Sequence, residues 1–121
     1  MESSLLKKNE ELTVINKTYD LIVWTVNHTS RFPRNHRHVL GVRIEQHLYD
    51  VLELLIEAKF SRQRRGQLET TNRKLETLRF LLRLAKDVNC LKVTSYGFAA
   101  RSVDEIGRLV GGWLRTAEAS S

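Results

Sequence analysis

Apolar residues recur along this chain at alternating intervals of three and four, the spacing that keeps them on one face of an α-helix. Leu12, Ile15, Tyr19, Ile22 and Val26 form one such stripe. Leu40, Ile44, Leu48, Val51, Leu55 and Ala58 form a second, and Leu68, Thr71, Leu75, Leu78, Leu82 and Ala85 a third. Ala99, Val103, Ile106, Val110, Trp113 and Ala117 form a fourth. Each is a run of a and d positions, the seam of helices that pack nearly parallel or antiparallel. No segment sustains period-two alternation, so strands are not expected.

The polar interruptions divide the stripes. Pro33 has no N–H to give a helix and separates the first two. Gly66, among polar neighbours, separates the second and third. Asn89 to Ser95 separates the third and fourth, with Thr94 or Ser95 available as N-cap. Short connections make sequential helices antiparallel neighbours. The expected fold is all-α: an up-down-up-down antiparallel four-helix bundle over residues 11–117. Residues 1–10 are expected as a flexible segment or an extension of the first helix, and 118–121 as a tail.

Some helices carry apolar residues off the main seam. These are Tyr49, Leu52 and Ile56 on the second, and Leu81, Leu84 and Val88 on the third. One apolar face per helix suffices for a monomeric bundle. The second stripes therefore point to self-association or to a wider core face.

The chain has 121 residues, enough for one domain and too few for two independent cores. One proline and six glycines suit long helices better than a turn-rich β fold. A single cysteine, Cys90, excludes an internal disulfide framework and a thiolate zinc cluster. It reads as a small apolar filler. No apolar run is long enough to span a membrane. The first residues lack the apolar core of a signal peptide, so a cytoplasmic protein with no membrane association is expected.

Charge changes the picture more. The formal net charge is +6, and it is unevenly spread. From Leu21 to Ile44 there is no acid, but Arg31, Arg34, Arg37 and Arg43 occur with His28, His36 and His38. Lys59, Arg62, Arg64 and Arg65 form a second knot around the next connection, at the other end of the second helix. Arg79, Arg83 and Lys86 share one face of the third helix at i, i+4 and i+7. Like charges at that spacing repel slightly, and phosphates would neutralise them. A polyanion, nucleic acid above all, is the partner this pattern implies. The competing reading is that Glu76 and Asp87 pair with these cations on a solvated face.

Few other residues suggest chemistry. Asp50, Glu53 and Glu57 share a helix face, but the Glu-x-x-His pairs of a bundle di-iron site are absent. His36 and His38 lack a third ligand nearby. No metal or other cofactor is expected. Gly107, Gly111 and Gly112 suggest close approach of another helix or fraying near the C-terminal end. Arg31-Phe-Pro-Arg-Asn-His36 has the Arg-x4-His form and resembles the catalytic signature of HEPN ribonucleases, which are also helical bundles. There an Arg and a His can supply charge stabilisation and proton transfer.

A wider resemblance runs over about residues 17–116. It is carried by Tyr19-Asp20-Leu21, Arg31-Phe32-Pro33-Arg34 and Leu40-Gly41-Val42-Arg43-Ile44. Residues 52–58 (Leu-Glu-Leu-Leu-Ile-Glu-Ala) and 78–85 (Leu-Arg-Phe-Leu-Leu-Arg-Leu-Ala) continue it. The most specific block is 105–114, Glu-Ile-Gly-Arg-Leu-Val-Gly-Gly-Trp-Leu. Together these residues resemble the Avd family, the accessory variability determinants of diversity-generating retroelements. That family is related to four-helix-bundle proteins encoded in ribosomal RNA intervening sequences, which share much of the pattern.

The resemblance implies a homopentameric barrel of four-helix bundles and a non-enzymatic, nucleic-acid-binding role. It implies as partners the element's reverse transcriptase and its template-repeat RNA, with DNA as an alternative nucleic acid, in mutagenic retrohoming. By position it marks Arg79, Arg83 and Arg34 as candidate contacts. Charge alone adds Arg37, Lys86, Arg62, Arg64 and Arg65. Arg43 and Arg108 match motif positions, but ion pairing near Glu53 or Glu105 would explain them equally. A bundle of the intervening-sequence type, without a retroelement partner, remains the alternative, with an RNA-cleaving bundle using Arg31 and His36 behind it.

Overall fold

The computed structural model describes the backbone of residues 2–120 and the side chains of residues 8–117. Met1 and Ser121, at the outer ends of the two expected tails, lie outside the described residues. Four long helices account for nearly all of it: α1 (Glu2–Thr29), α3 (Val42–Phe60), α4 (Arg65–Asp87) and α5 (Val93–Ser120). A single turn, α2 (Arg34–His36), runs into a π-helical stretch, Arg37–Gly41, that leads into α3. No strand occurs among the described residues. No helix among them is long and apolar enough to cross a membrane.

Three of the four expected seams are the seams of the core. On the second stripe Leu40, Ile44, Leu48, Val51, Leu55 and Ala58 are all buried, as are all six residues of the third. On the fourth Ala99, Val103, Ile106, Val110 and Trp113 are buried, and Ala117 packs against them. Each fully buried leucine or isoleucine contributes about 1.5–3 kcal/mol over an exposed one.

Helix α1 turns a different face inward from the one its apolar spacing marks. Its buried stripe is Val14, Thr18, Leu21, Thr25 and Thr29. Leu12, Tyr19 and Val26 are exposed, and Ile15 and Ile22 only partly covered. Burial of the threonines is tolerable where the hydroxyl finds a local acceptor. Thr18 donates to the Val14 carbonyl at 2.9 Å, and Thr29 to Glu45 Oε2 at 2.9 Å.

The breaks are sharper than the sequence suggests. Pro33 ends the first connection as expected, its carbonyl accepting from the His36 and Arg37 amides. Phe32 is buried beneath that connection at 1% exposure. The second break is at residues 61–64, so Gly66 lies inside the first turn of α4 instead of in the gap. Helix α4 closes with Asn89 in the left-handed region, φ 65°. The Cys90 amide reaches back to Ala85 at 2.7 Å and the Asn89 amide to Lys86 at 3.0 Å, a Schellman closure. Helix α5 begins at Val93, so Thr94 and Ser95 lie in its first turn and do not cap it.

Long helices in contact are α1 with α3 and α5, and α4 with α3 and α5. Ion pairs cross these contacts: Lys17 to Glu105 at 2.9 Å, Asp50 to Lys74 at 3.1 Å, and Arg79 to Asp104 at 3.0 Å. Hydrogen bonding from Lys17, helped by the nearby Arg108, holds the Glu105 carboxyl below its ordinary value. For Asp50, burial raises the carboxyl, but bonds from Lys74 and Gln46 outweigh it and leave the group below its ordinary value.

Candidate nucleic-acid interface

The expected contact residues fall on three surfaces. The first is the end of the bundle formed by the close of α1, the connection through α2, and the α4–α5 turn. Arg31, Arg34 and Arg37 are exposed there, and none makes a hydrogen bond or ion pair with its side chain among the described residues. The acid-free stretch is what leaves them unmatched. Glu45, the first acid after it, is already engaged: Thr29 donates to one oxygen and Tyr49 to the other at 3.0 Å. Burial, helped by that bond and the Glu45 charge, pushes the Tyr49 phenol up.

A cavity of about 400 Å³ opens at this end, lined by His28, Arg31, Asn89, Cys90, Leu91, Lys92 and Ser95. Burial raises the Cys90 thiol above its ordinary value. His36 lies on α2 and is not part of this lining, so the cavity does not join the two residues of the Arg-x4-His form.

The second surface is the opposite end. Here the cluster divides. Arg64 is held within the fold: Nη1 donates to Glu11 at 2.7 Å, Nε donates to the Ser61 carbonyl, and the guanidinium stands 5.7 Å from the Trp113 ring centroid. Arg65 pairs with Glu69 at 2.9 Å. Arg62 alone of the three is exposed and unpaired among the described residues. All three line a cavity of about 610 Å³, with Glu10, Glu11 and Trp113.

The third surface is the basic face of α4, and neighbouring acids meet it. Arg79 donates to Glu76 at 2.7 Å and to Asp104 on α5 at 3.0 Å. Arg83 is more loosely placed, 3.8 Å from Asp87, and its side chain is 62% exposed. Lys86 stands 3.5 Å from Asp87 and 4.8 Å from the Tyr96 ring centroid. The stripe seen in the sequence is real, but much of its charge is internally balanced. Arg108 lies near Glu105, whereas Arg43 makes no ion pair among the described residues.

Two signals escaped the sequence reading. Trp24 and His28, one turn apart on α1, stack at 3.7 Å between ring centroids with 22° between planes. Phe98 of α5 approaches Trp24 at 5.2 Å. The i, i+4 spacing announces the first pair, while the second needs the fold. Among the described residues, no group of three or more His, Cys, Asp or Glu could hold a metal ion.

The bAvd-like family model matches residues 12–117, which take in α3, α4, most of α1 and α5, and every connection between them. The chain belongs to the bAvd-like family. No curated protein matches it. The resemblance carried by the sequence blocks and the all-helical, four-helix architecture therefore agree. Within the family frame, the end of the bundle bearing Arg31, Arg34 and Arg37 is the surface richest in uncommitted cations.

Proposed function

We propose that this protein is a non-enzymatic accessory subunit of a diversity-generating retroelement, binding the element's reverse transcriptase and template-repeat RNA during mutagenic retrohoming. It works in the cytoplasm beside those partners. Family membership supports the accessory role. The observation that carries the nucleic-acid contact is the set of unpaired arginines 31, 34 and 37 on a stretch of 24 residues, 21–44, without an acid. Arg62 and Arg83 extend the cationic surface beyond that end.

The functional unit in this reading is a homopentamer of up-down-up-down bundles. The pairings Lys17–Glu105, Asp50–Lys74 and Arg79–Asp104 support that helix order. Self-association is supported by apolar residues that the single chain leaves uncovered. On α1 these are Leu12, Tyr19, Val23 and Val26; on α3 and α4 they include Tyr49, Ile56 and Leu84. An exposed apolar strip along a helix marks a contact surface, assigned in this reading to a second copy of the chain.

The test is co-purification of the chain with the reverse transcriptase and template-repeat RNA that this reading expects beside its gene, with mass from light scattering. A complex holding several copies, with RNA affinity falling steeply as salt rises, is the expected outcome. A monomer that ignores both partners at low salt overturns the proposal.

A further inference from the structure

The cavity beside His28 combines two features that the broad basic surface does not. The first is charge of one sign. No acid lines it, and its two cations, Arg31 and Lys92, are exposed and unpaired among the described residues. The carbonyl ends of the adjoining helices are closed off. At α1 the amides of Ser30, Arg31 and Phe32 return to Val26, His28 and Thr29; at α4 those of Cys90 and Leu91 return to Ala85. The amino end of α5, by contrast, opens here through Ser95, and its first turn contains no acid. That end adds positive potential and free amides to the two side chains.

The second feature is a prearranged aromatic surface. His28 lines the cavity and lies against Trp24. Its Nδ1 is 2.8 Å from the Trp24 carbonyl, which can only accept, so Nδ1 carries the proton and the ring is pinned. Phe98 flanks Trp24 and is 44% exposed. Rings gathered at a surface beside unpaired cations form the platform on which proteins stack unpaired bases.

We propose that this cavity receives one unpaired nucleotide of RNA, its phosphate between Arg31 and Lys92 and its base on the His28–Trp24 stack. The inference rests on the nucleic-acid reading above and specifies single strand over duplex, because a base paired within an A-form helix cannot present its face to a side chain. The volume of about 400 Å³ lies within the span of small-ligand pockets, about 300–1,000 Å³.

Trp24 reports on the site directly. The only other tryptophan of the two, Trp113, lines the cavity at the opposite end. The experiment titrates the full chain at low salt with oligouridylate, an abasic strand of equal length, and an RNA duplex. Tryptophan emission and affinity are both read. Oligouridylate is expected to quench saturably, the abasic strand and duplex are not, and Trp24→Phe abolishes the quench. His28→Ala should weaken oligouridylate binding about tenfold and leave abasic binding unchanged. His28→Phe, which keeps a ring for stacking, should restore most of it. Arg31→Ala with Lys92→Ala should weaken both strands. If oligouridylate binds without quenching Trp24 and His28→Ala keeps full affinity, the nucleotide site is refuted while RNA binding by the protein stands. If no strand or duplex binds, the nucleic-acid reading fails as well.

Discussion

Arg79 lies across Gly107, its Nη2 only 2.9 Å from where a β-carbon on that glycine would stand. The guanidinium reaches from α4 over α5 to Asp104 through this gap. Gly107 is therefore the member of the glycine cluster that serves a close approach between helices. Around Gly111 and Gly112 the nearest atoms are those of Arg115 on the same helix, so no neighbouring helix explains them.

A β-carbon at 107 meets the far end of a flexible side chain, which can swing aside. The cost is an exposed ion pair, at most about 1 kcal/mol. The gain is a glycine removed from the interior of α5, also about 1 kcal/mol. Gly107→Ala is thus expected to leave thermal stability within about 1 kcal/mol of the parent and to free Arg79 from Asp104. Calorimetric melting checks the first, and a double-mutant cycle with Asp104→Ala the second. A loss of several kcal/mol would show that the backbone itself could not accept the change.

Thr25 is 2% exposed, and its hydroxyl has no hydrogen-bond partner among the described residues. An unsatisfied buried hydroxyl costs about 1–3 kcal/mol, and valine has the same shape without it. Thr25→Val should raise the melting temperature. Thr18→Val is the control: its hydroxyl already bonds to the Val14 carbonyl, so the gain there should be smaller.

These threonines also show where sequence reading stopped. On α3, α4 and α5 the inner face is almost wholly aliphatic, so the spacing of apolar residues and the buried seam coincide. On α1 three of the five inner residues are threonine, while Leu12, Tyr19, Val23 and Val26 face outward and Ile15 and Ile22 lie at the edge of the core. The pattern is intact, but in the single chain much of it lies on an exposed face: Leu12, Tyr19, Val23 and Val26 are uncovered. The basic face of α4 was legible for the same reason the seams were, through its spacing. Its partner Asp104 lies 25 positions away and becomes visible only once α5 packs beside α4. The acid-free stretch was legible in full, because an absence of acids needs no fold to be counted.

The outer face of α1 carries a prediction of its own. Val23 is 46% exposed among Leu12, Tyr19 and Val26. Val23→Glu should leave the helical content of the chain unchanged, since the side chain faces away from the core. It should lower the mass measured by light scattering, because a charge in an apolar contact loses its hydration without gaining a partner. Unchanged mass would remove this face from the assembly.

The Asp50–Lys74 pair gives a pH dependence. The folded-state carboxyl is held below its unfolded value by Lys74 and Gln46. Its contribution is therefore present above the unfolded value and is lost as pH falls through the folded one. Both partners are partly exposed, so the pair contributes less than about 1 kcal/mol. Asp50→Asn should lower stability slightly near pH 7, and the difference should vanish in strong acid. Urea unfolding at the two pH values checks it.

The arrangement of charge separates two kinds of arginine, and salt dependence can tell them apart. Arg34 and Arg37 have no internal partner among the described residues, whereas Arg79 is held by two carboxylates. Each cation that meets a phosphate on binding contributes about 0.7–0.9 to the slope of log affinity against log salt. Arg34→Ala with Arg37→Ala should therefore flatten that slope by about 1.5 and weaken RNA binding at low salt, with the melting temperature unchanged. Arg79→Ala should do the reverse: a small loss of stability, since its pairs to Glu76 and Asp104 disappear, and little change in slope. Retardation of RNA across a salt series, with melting curves on the same variants, makes the comparison. If Arg79→Ala flattens the slope and the double variant does not, RNA lies along α4 and not across the acid-free end, and Arg79 must leave Asp104 to meet it.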